Sequence, residues 1–350
     1  MARVRIKDIA QEAGVSPATV SRYLNNTPGA MTEETRARIA KVVERTGYRP
    51  LAAARSLRTD RSHLLGIVLA DIVNPYSSAM IEALSGEAAK VGYTLMTAVS
   101  SNDGVAEASA IERLCAAGAD ALVVNTCGGN EHLLRTTNTR VPVVLLDRDC
   151  TGGGLDLVTS NNSELMDALV DELCGCGCER LVLLTEQDRT SSVRREREGR
   201  FLDRAVERGA AGEVLELSAD SNKAAVQVKG AVAGDGEKGA ANHGAVGLIA
   251  VNGLVFFRLI EAMQDAQLRG QWGEGDLKGG RVAAPLFAAT FDDYAWNRMF
   301  QGGVTTAAQD VQAIAAAVME RVVARIDDPG LMPQRVQIPG RIVRRASTRA

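Results

Sequence analysis

No apolar run in this sequence approaches the roughly 18 residues that a membrane span needs. Runs such as Leu64 to Ala70 and Val141 to Leu146 are far shorter. The N-terminus is charged and carries no apolar stretch of the signal-peptide kind. Six cysteines in 350 residues do not make a disulfide scaffold. Histidine is scarcer still: His63, His132 and His243 read as incidental loop or surface residues and give a catalytic or metal role little material. No GxGxxG follows a strand, no GxxxxGK[ST] occurs and no Ser/His/Asp order stands out, so nucleotide binding and nucleophilic catalysis find no support. The expectation is a cytoplasmic, reduced, non-membrane protein, not an enzyme, with no cofactor and no metal.

What is present is unevenly distributed. The formal net charge is −3, with 46% hydrophobic and 24% charged residues, as in ordinary globular chains. Residues 1–61 hold 12 Lys+Arg against 6 Asp+Glu, whereas the remainder holds 28 against 37. A basic head on an acidic body suggests a small polyanion-binding module joined to something that does not bind polyanions.

Residues 6–46 read as three short helices. Ile6, Ile9, Ala10 and Ala13 share one face at helical spacing, and Gly14 breaks the pattern where a tight turn wants positive φ. Ser16-Pro17 starts a second helix with a hydroxyl cap and a proline at its first position; Val20 and Leu24 are its buried stripe. Thr32 caps a third, whose first turn holds Glu33 and Glu34, whose core face is Ile39, Val42 and Val43, and which stops at Gly47. This is the helix-turn-helix arrangement, although the pattern alone also fits a plain three-helix bundle. The second helix exposes Ala18, Thr19, Ser21 and Arg22, groups suited to close approach to a DNA groove. Residues 49–62 carry Arg49, Arg55, Arg58 and Arg61 among alanines; alone, so short a helix is marginal in water.

From Leu64 apolar runs alternate with helical stretches. Strands are expected at Leu64 to Leu69, Tyr93 to Ala98, Ala121 to Asn125 and Val141 to Leu146, then at Arg180 to Leu184 and Gly247 to Val251. Two such series mean two Rossmann-like α/β lobes, with ligand in the cleft at the carboxyl ends of the strands. Lys229 to Gly244 and Gly270 to Gly280 read as glycine-rich loops, and residues 341–350 as a loose basic tail. Cys174, Cys176 and Cys178 alternate with glycine; a metal site is the minority reading, because no fourth ligand lies nearby.

The string Gly14-Val15-Ser16-Pro17-Ala18-Thr19-Val20-Ser21-Arg22-Tyr23-Leu24-Asn25, preceded by Ile6-Lys7-Asp8-Ile9-Ala10, resembles the headpiece of the LacI/GalR family of bacterial transcriptional regulators. Tyr48-Arg49-Pro50 and Ala54-Arg55-Ser56-Leu57 resemble its hinge; Asn74-Pro75-Tyr76, Leu146-Asp147-Arg148, Val251-Asn252 and Thr290-Phe291-Asp292-Asp293 resemble segments of its effector domain. Arg5 departs from the Ser or Thr that caps the first helix in many relatives. The resemblance implies a helix-turn-helix headpiece over 1–48, a hinge over 49–62, a two-lobed periplasmic-binding-protein-like domain over 63–340 and a tail over 341–350.

For DNA it implies that Pro17, Ala18 and Arg22 face the major groove, with Arg22 reading guanine, while Thr19, Ser21 and Asn25 hold phosphates or serve as local caps. Arg55 lies in the hinge, which becomes helical over operator DNA, and Leu57 wedges into the minor groove. For effector it implies Tyr76, Asp147, Asn252 and Asp292, with Trp296 as a ring platform. The bland readings are core for Tyr76 and Trp296 and a turn for Asp292. Arg148, Arg194 and Arg197 suit a carboxylate, although the run from Arg194 to Arg200 also fits a solvated helix face. Asn252-Gly253 and Asp293-Tyr294-Ala295-Trp296 resemble the branch responsive to keto-sugar acids.

The expected function is a DNA-binding regulator, a repressor, working as a homodimer on an inverted repeat and switched by a small sugar or sugar acid. A two-lobed sugar-binding protein without a transcriptional role is the alternative, and a sugar-modifying enzyme lacks any acid/base pair placed by spacing.

Overall fold

The computed structural model describes residues 4–24, 27–48, 61–186, 190–233, 244–265, 285–300 and 302–349. The chain divides into two compact units, Met1–His63 and Leu64–Ala350.

In the first unit the helices are α1 (Ile6–Glu12), α2 (Pro17–Leu24) and α3 (Glu33–Thr46). Gly14 takes φ 64° in the turn between α1 and α2, and Gly47 takes φ 60° at the end of α3, both as the sequence suggests. Arg5 does not leave α1 uncapped: the Asp8 carboxylate accepts the Arg5 backbone N–H at 2.7 Å, the reciprocal half of a capping box. Ser16 Oγ accepts the Thr19 N–H at 3.1 Å, and Thr32 Oγ1 accepts that of Thr35 at 3.3 Å. Ile9, Ala10, Ala13, Val20, Ile39 and Val42 are buried together. Outside this core an exposed Arg45–Glu12 ion pair joins α3 to α1.

The second unit contains two six-stranded sheets. One lobe is built on β1 (Leu64–Leu69), β2 (Thr94–Val99), β3 (Ala121–Val124), β4 (Val143–Leu146), β5 (Asp156–Ser160) and β11 (Arg335–Ile338), in the spatial order β11-β5-β4-β3-β1-β2, all parallel. Its helices are α4 (Pro75–Lys90), α5 (Gly104–Ala116), α6 (Glu131–Asn138) and α11 (Val311–Asp327). Both faces of the sheet are covered, which is why β3, β4 and β5 are buried at every position and why β3 and β4 read as unbroken apolar runs rather than alternating ones. The other lobe holds β6 (Cys178–Thr185), β7 (Ala211–Glu216), β8 (Ala245–Ala250), β9 (Leu286–Phe291), β10 (Thr305–Ala308) and β12 (Arg341–Val343), ordered β12-β10-β9-β8-β6-β7. Its helices are α7 (Asn162–Gly175), α8 (Ser192–Glu207), α9 (Ser221–Ala233) and α10 (Gly253–Asp265).

The chain passes between the lobes at three places: after β5, after β10 and after β11. These crossings are bonded to one another. Ser160 Oγ donates to Gln309 Oε1 at 2.7 Å, the Asn161 N–H to the Ile338 carbonyl at 3.2 Å, and the Gly340 N–H to Asn161 Oδ1 at 2.8 Å.

Two expectations need correction. The tail is not loose: β12 pairs antiparallel with β10, and Ser347 is fully buried beyond it, because the tail's backbone and hydroxyls complete an otherwise open sheet edge. The loop expected over 229–244 starts late, since α9 continues through Ala233 and buries Ala231 and Val232. Positions 234–243 and the loop expected over 270–280 lie outside the described residues.

Candidate effector cleft and DNA-reading helix

Each lobe ends one central strand on an aspartate in the left-handed region. Asp147 (φ 64°) follows β4 and Asp292 (φ 71°) follows β9. Aspartate tolerates this conformation better than most residues. The turn continues the ladder by one bond, Asp147 N–H to the Val158 carbonyl at 2.7 Å and Asp292 N–H to the Ala307 carbonyl at 2.9 Å. Both carboxyls are buried, and burial raises their pKa above the usual carboxylate range, while Arg197 opposes the rise in both.

Arg197, on α8, is buried with them. Its Nε and Nη2 donate to Asn162 Oδ1 at 2.9 and 2.8 Å, its Nη1 donates to the Val251 carbonyl at 2.8 Å, and its guanidinium carbon stands 3.7 Å from the centre of the Phe291 ring. A guanidinium has five N–H groups. Three are committed to these bonds, so one on Nη1 and one on Nη2 remain for a further acceptor. Burial lowers the Arg197 pKa, but Asp292 and Asp147 oppose that.

Tyr76 enters from α4, whose cap is Asn74, and is nine-tenths buried. Burial, then Asp147 and Asp292, push its hydroxyl well above its ordinary pKa, so it is a neutral donor. Asn252 caps α10, its Oδ1 accepting the Val255 N–H at 2.9 Å while its Nδ2 donates to Glu186 Oε1 at 2.8 Å. Arg148 donates to Asn102 Oδ1 at 3.2 Å and to the Thr126 carbonyl at 3.4 Å. Trp296 packs on Tyr294 and Phe257, with ring centroids 4.5 and 4.9 Å away. Among the described residues, Tyr76 Oη, Asp147 Oδ1 and Trp296 Nε1 are buried polar atoms with no hydrogen-bond partner. Buried polar atoms cost free energy unless a partner is supplied. The N-termini of α4, α8 and α10 carry Tyr76, Arg194 with Arg197, and Asn252, so their dipoles add positive potential there.

Tyr76, Asp147, Arg197 and Asp292 thus interact electrostatically as one cluster. Arg194 lies near it but is paired with Glu186, which Arg258 also approaches at 3.6 Å. Arg200 faces outward to Asp167 and Glu207, so the α8 charge run divides into inward Arg194 and Arg197 and a surface network. Several site residues were missed from sequence: Glu186, Asn162, Tyr294 and Gln309, whose Nε2 donates to Asp292 Oδ1 at 2.7 Å. Glu186 directly follows β6 and Gln309 directly follows β10. The strand-end rule, applied to the expected strand that became β6, would have found Glu186, whereas β10 was not among the expected strands. Gly253 has a steric reason, since a Cβ there would lie 2.5 Å from a Tyr294 ring carbon.

Near the three alternating cysteines, Cys176 Sγ lies 3.0 Å from the Thr348 carbonyl, and burial pushes the Cys178 thiol up to about 12. Among the described residues no group of three or more His, Cys, Asp or Glu is arranged to hold a metal. No described helix is long and apolar enough to cross a membrane.

On α2, Pro17, Ala18 and Arg22 are exposed side by side, while Thr19 is half-buried, its hydroxyl 2.9 Å from that of Ser16. Ser21 is half-buried as well. Asn25, Arg55 and Leu57 lie outside the described residues.

Two family models match the chain. Residues 5–50 match the bacterial regulatory proteins of the lacI family, and residues 62–229 match the periplasmic binding proteins and sugar binding domain of the LacI family. The HTH-type transcriptional regulator PtxS of Pseudomonas plecoglossicida is 32% identical over 347 residues, covering 99% of this chain and 96% of its own length. The chain belongs to the LacI family of transcriptional regulators. The regulator KdgR of Bacillus subtilis (strain 168) is 29% identical over 98% of this chain and 97% of its own. Among solved structures, the Lac repressor dimer bound to operator and the anti-inducer ONPF covers 100% of both chains with a TM-score of 0.82 at 19% identity, a likeness of fold.

Proposed function

We propose that this LacI-family member is a repressor that binds an inverted-repeat operator as a homodimer and is switched by a small sugar acid of the keto-sugar-acid class. The observation that carries the effector class is Arg197: a buried guanidinium, clamped on one side, with two N–H groups left beside two buried aspartates. The fork suits a carboxylate, and Asp147, Asp292 and Asn252 suit sugar hydroxyls. Arg148 is a second cation for the acid group, and Arg194 is paired with Glu186. Trp296 and Tyr76 supply ring contact, with Nε1 and Oη as donors. Relatives that are named transcriptional regulators over nearly their whole length support the DNA-binding role, and so does the exposed Pro17-Ala18-Arg22 face of α2. The Lac repressor dimer seen on operator supports the dimer. The same names support regulation rather than catalysis, and with it a place in the cytoplasm beside DNA.

The test uses full-length protein, an operator shift assay over a salt series, and a panel of glucose, gluconate and 2-keto-D-gluconate. Salt-sensitive specific binding, relieved by the acids and not by glucose, is the expected result. Asp292→Ala should retain operator binding and lose the response. A response to glucose alone would remove the carboxylate role, and conversion of any panel member to a new product would overturn the non-catalytic reading.

A further inference from the structure

The C-terminal segment does more than close a sheet. After β12, Arg345 lies across the loop that leaves β9. Its Nη2 donates to Asp293 Oδ1 at 2.7 Å, its Nη1 to Thr306 Oγ1 and the Val304 carbonyl at 2.8 Å each, and its backbone N–H to Thr305 Oγ1 at 2.9 Å. The ion pair is sheltered, with 11% and 14% side-chain exposure for Arg345 and Asp293. The loop beneath is shaped to receive this side chain: a Cβ on Gly303 (φ +97°) would lie 2.5 Å from Arg345 Cδ. Ser347 completes the attachment, donating through Oγ to the Ala288 carbonyl at 2.6 Å and accepting the Thr305 N–H at 2.8 Å.

Asp293 is the residue after Asp292, which is held at φ 71°. A non-glycine residue keeps such a conformation only where its surroundings over-determine it. Locally Asn297 Nδ2 donates to the Asp292 carbonyl at 2.7 Å, and Gln309 holds the carboxyl. The Arg345–Asp293 pair adds a restraint from the far end of the chain. We propose that the C-terminal segment, through this pair, is a positioning element of the effector cleft, fixing the loop from Asp292 to Trp296 so that its side chains face the cleft. The effector itself rests on the reading above; the restraint on the loop does not.

The experiment compares full-length Arg345→Ala, Arg345→Lys and, as control, Arg344→Ala, which removes an exposed tail ion pair with Glu172. Hydrogen exchange of the peptide spanning Thr290 to Asn297 is measured without ligand. The half-maximal concentration of 2-keto-D-gluconate for operator release is measured alongside. Arg345→Ala should speed exchange of that peptide about tenfold and raise the half-maximal concentration about tenfold, with ligand-free operator affinity changed less than about twofold. Arg345→Lys should recover part of both, and Arg344→Ala should change neither. Exchange no faster than in Arg344→Ala would overturn the proposal, as would faster exchange with an unchanged half-maximal concentration. If wild type ignores the whole panel, the sugar-acid reading fails separately, and the exchange comparison alone decides the tail's role.

Discussion

Replacing Arg197 by lysine separates charge from geometry in the cleft. The cation is kept, but a lysine ammonium is a point donor on a flexible stem and cannot reproduce the planar fork. In the structure the fork spends three N–H groups on Asn162 and the Val251 carbonyl and presents two towards the cleft. The variant keeps at most one of those two. Losing one charge-assisted hydrogen bond costs about 1.5–3 kcal/mol, so the half-maximal effector concentration should rise roughly 10–150-fold. The fold should also weaken: Asn162 is fully buried, and acceptors left without a donor cost about 1–3 kcal/mol. The assay is a fluorescence-anisotropy titration of effector into the protein–operator complex, with a melting curve of each protein. Ligand-free operator affinity should be unchanged, since Arg197 belongs to the second compact unit and the headpiece to the first. A folded Arg197→Lys protein that responds within about threefold of wild type would refute the reasoning, because a fork that bound the effector could not be lost so cheaply.

Two further outcomes follow from other residues. Burial raises the Asp147 pKa from 3.8 in the folded chain, so its contribution to stability is full below that value and is lost as pH rises through the raised pKa. Asp147→Asn should therefore raise the melting temperature of ligand-free protein at pH 7–8, with the gain shrinking towards pH 4; a pH-independent gap would contradict the burial argument. Leu57→Ala should weaken operator binding about tenfold or more yet leave binding to random DNA and its salt slope unchanged, because leucine releases no counter-ions. Equal loss on both DNAs would remove the wedge role.

The architecture was legible because its signals are local and repeated. Apolar runs marked β1, β2, β3, β4, β6 and β8 but not the fully buried β5, β9 and β10, and Ser16-Pro17, Thr32 and Gly47 marked helix ends that the structure places at those residues. Weakly patterned elements escaped: β7 is exposed or half-buried throughout, so it carries no apolar run, and β12 is three residues long. Of the candidate site, Tyr76, Asp147, Arg197, Asn252 and Asp292 were named by resemblance and strand-end position, and the structure brings Tyr76, Asp147, Arg197 and Asp292 into one cluster. Asn162 and Gln309 were missed because each works through another residue, Arg197 and Asp292, 35 and 17 positions away in the chain. The tail was misread because Arg341, Arg344, Arg345 and Arg349 look like a solvated basic end. The partners of Arg344 and Arg345, Glu172 and Asp293, lie 172 and 52 positions away in the chain.

The three bonded crossings have a mechanical consequence. Three tethers lying side by side and linked by Ser160–Gln309, Asn161–Ile338 and Gly340–Asn161 define a line. Rotation of one lobe about that line is the motion these linking bonds oppose least, and a molecule that touched both lobes would act across it. Gln309 belongs to one of the linked crossings and also holds the Asp292 carboxyl, so the crossings and the candidate cluster are in direct contact.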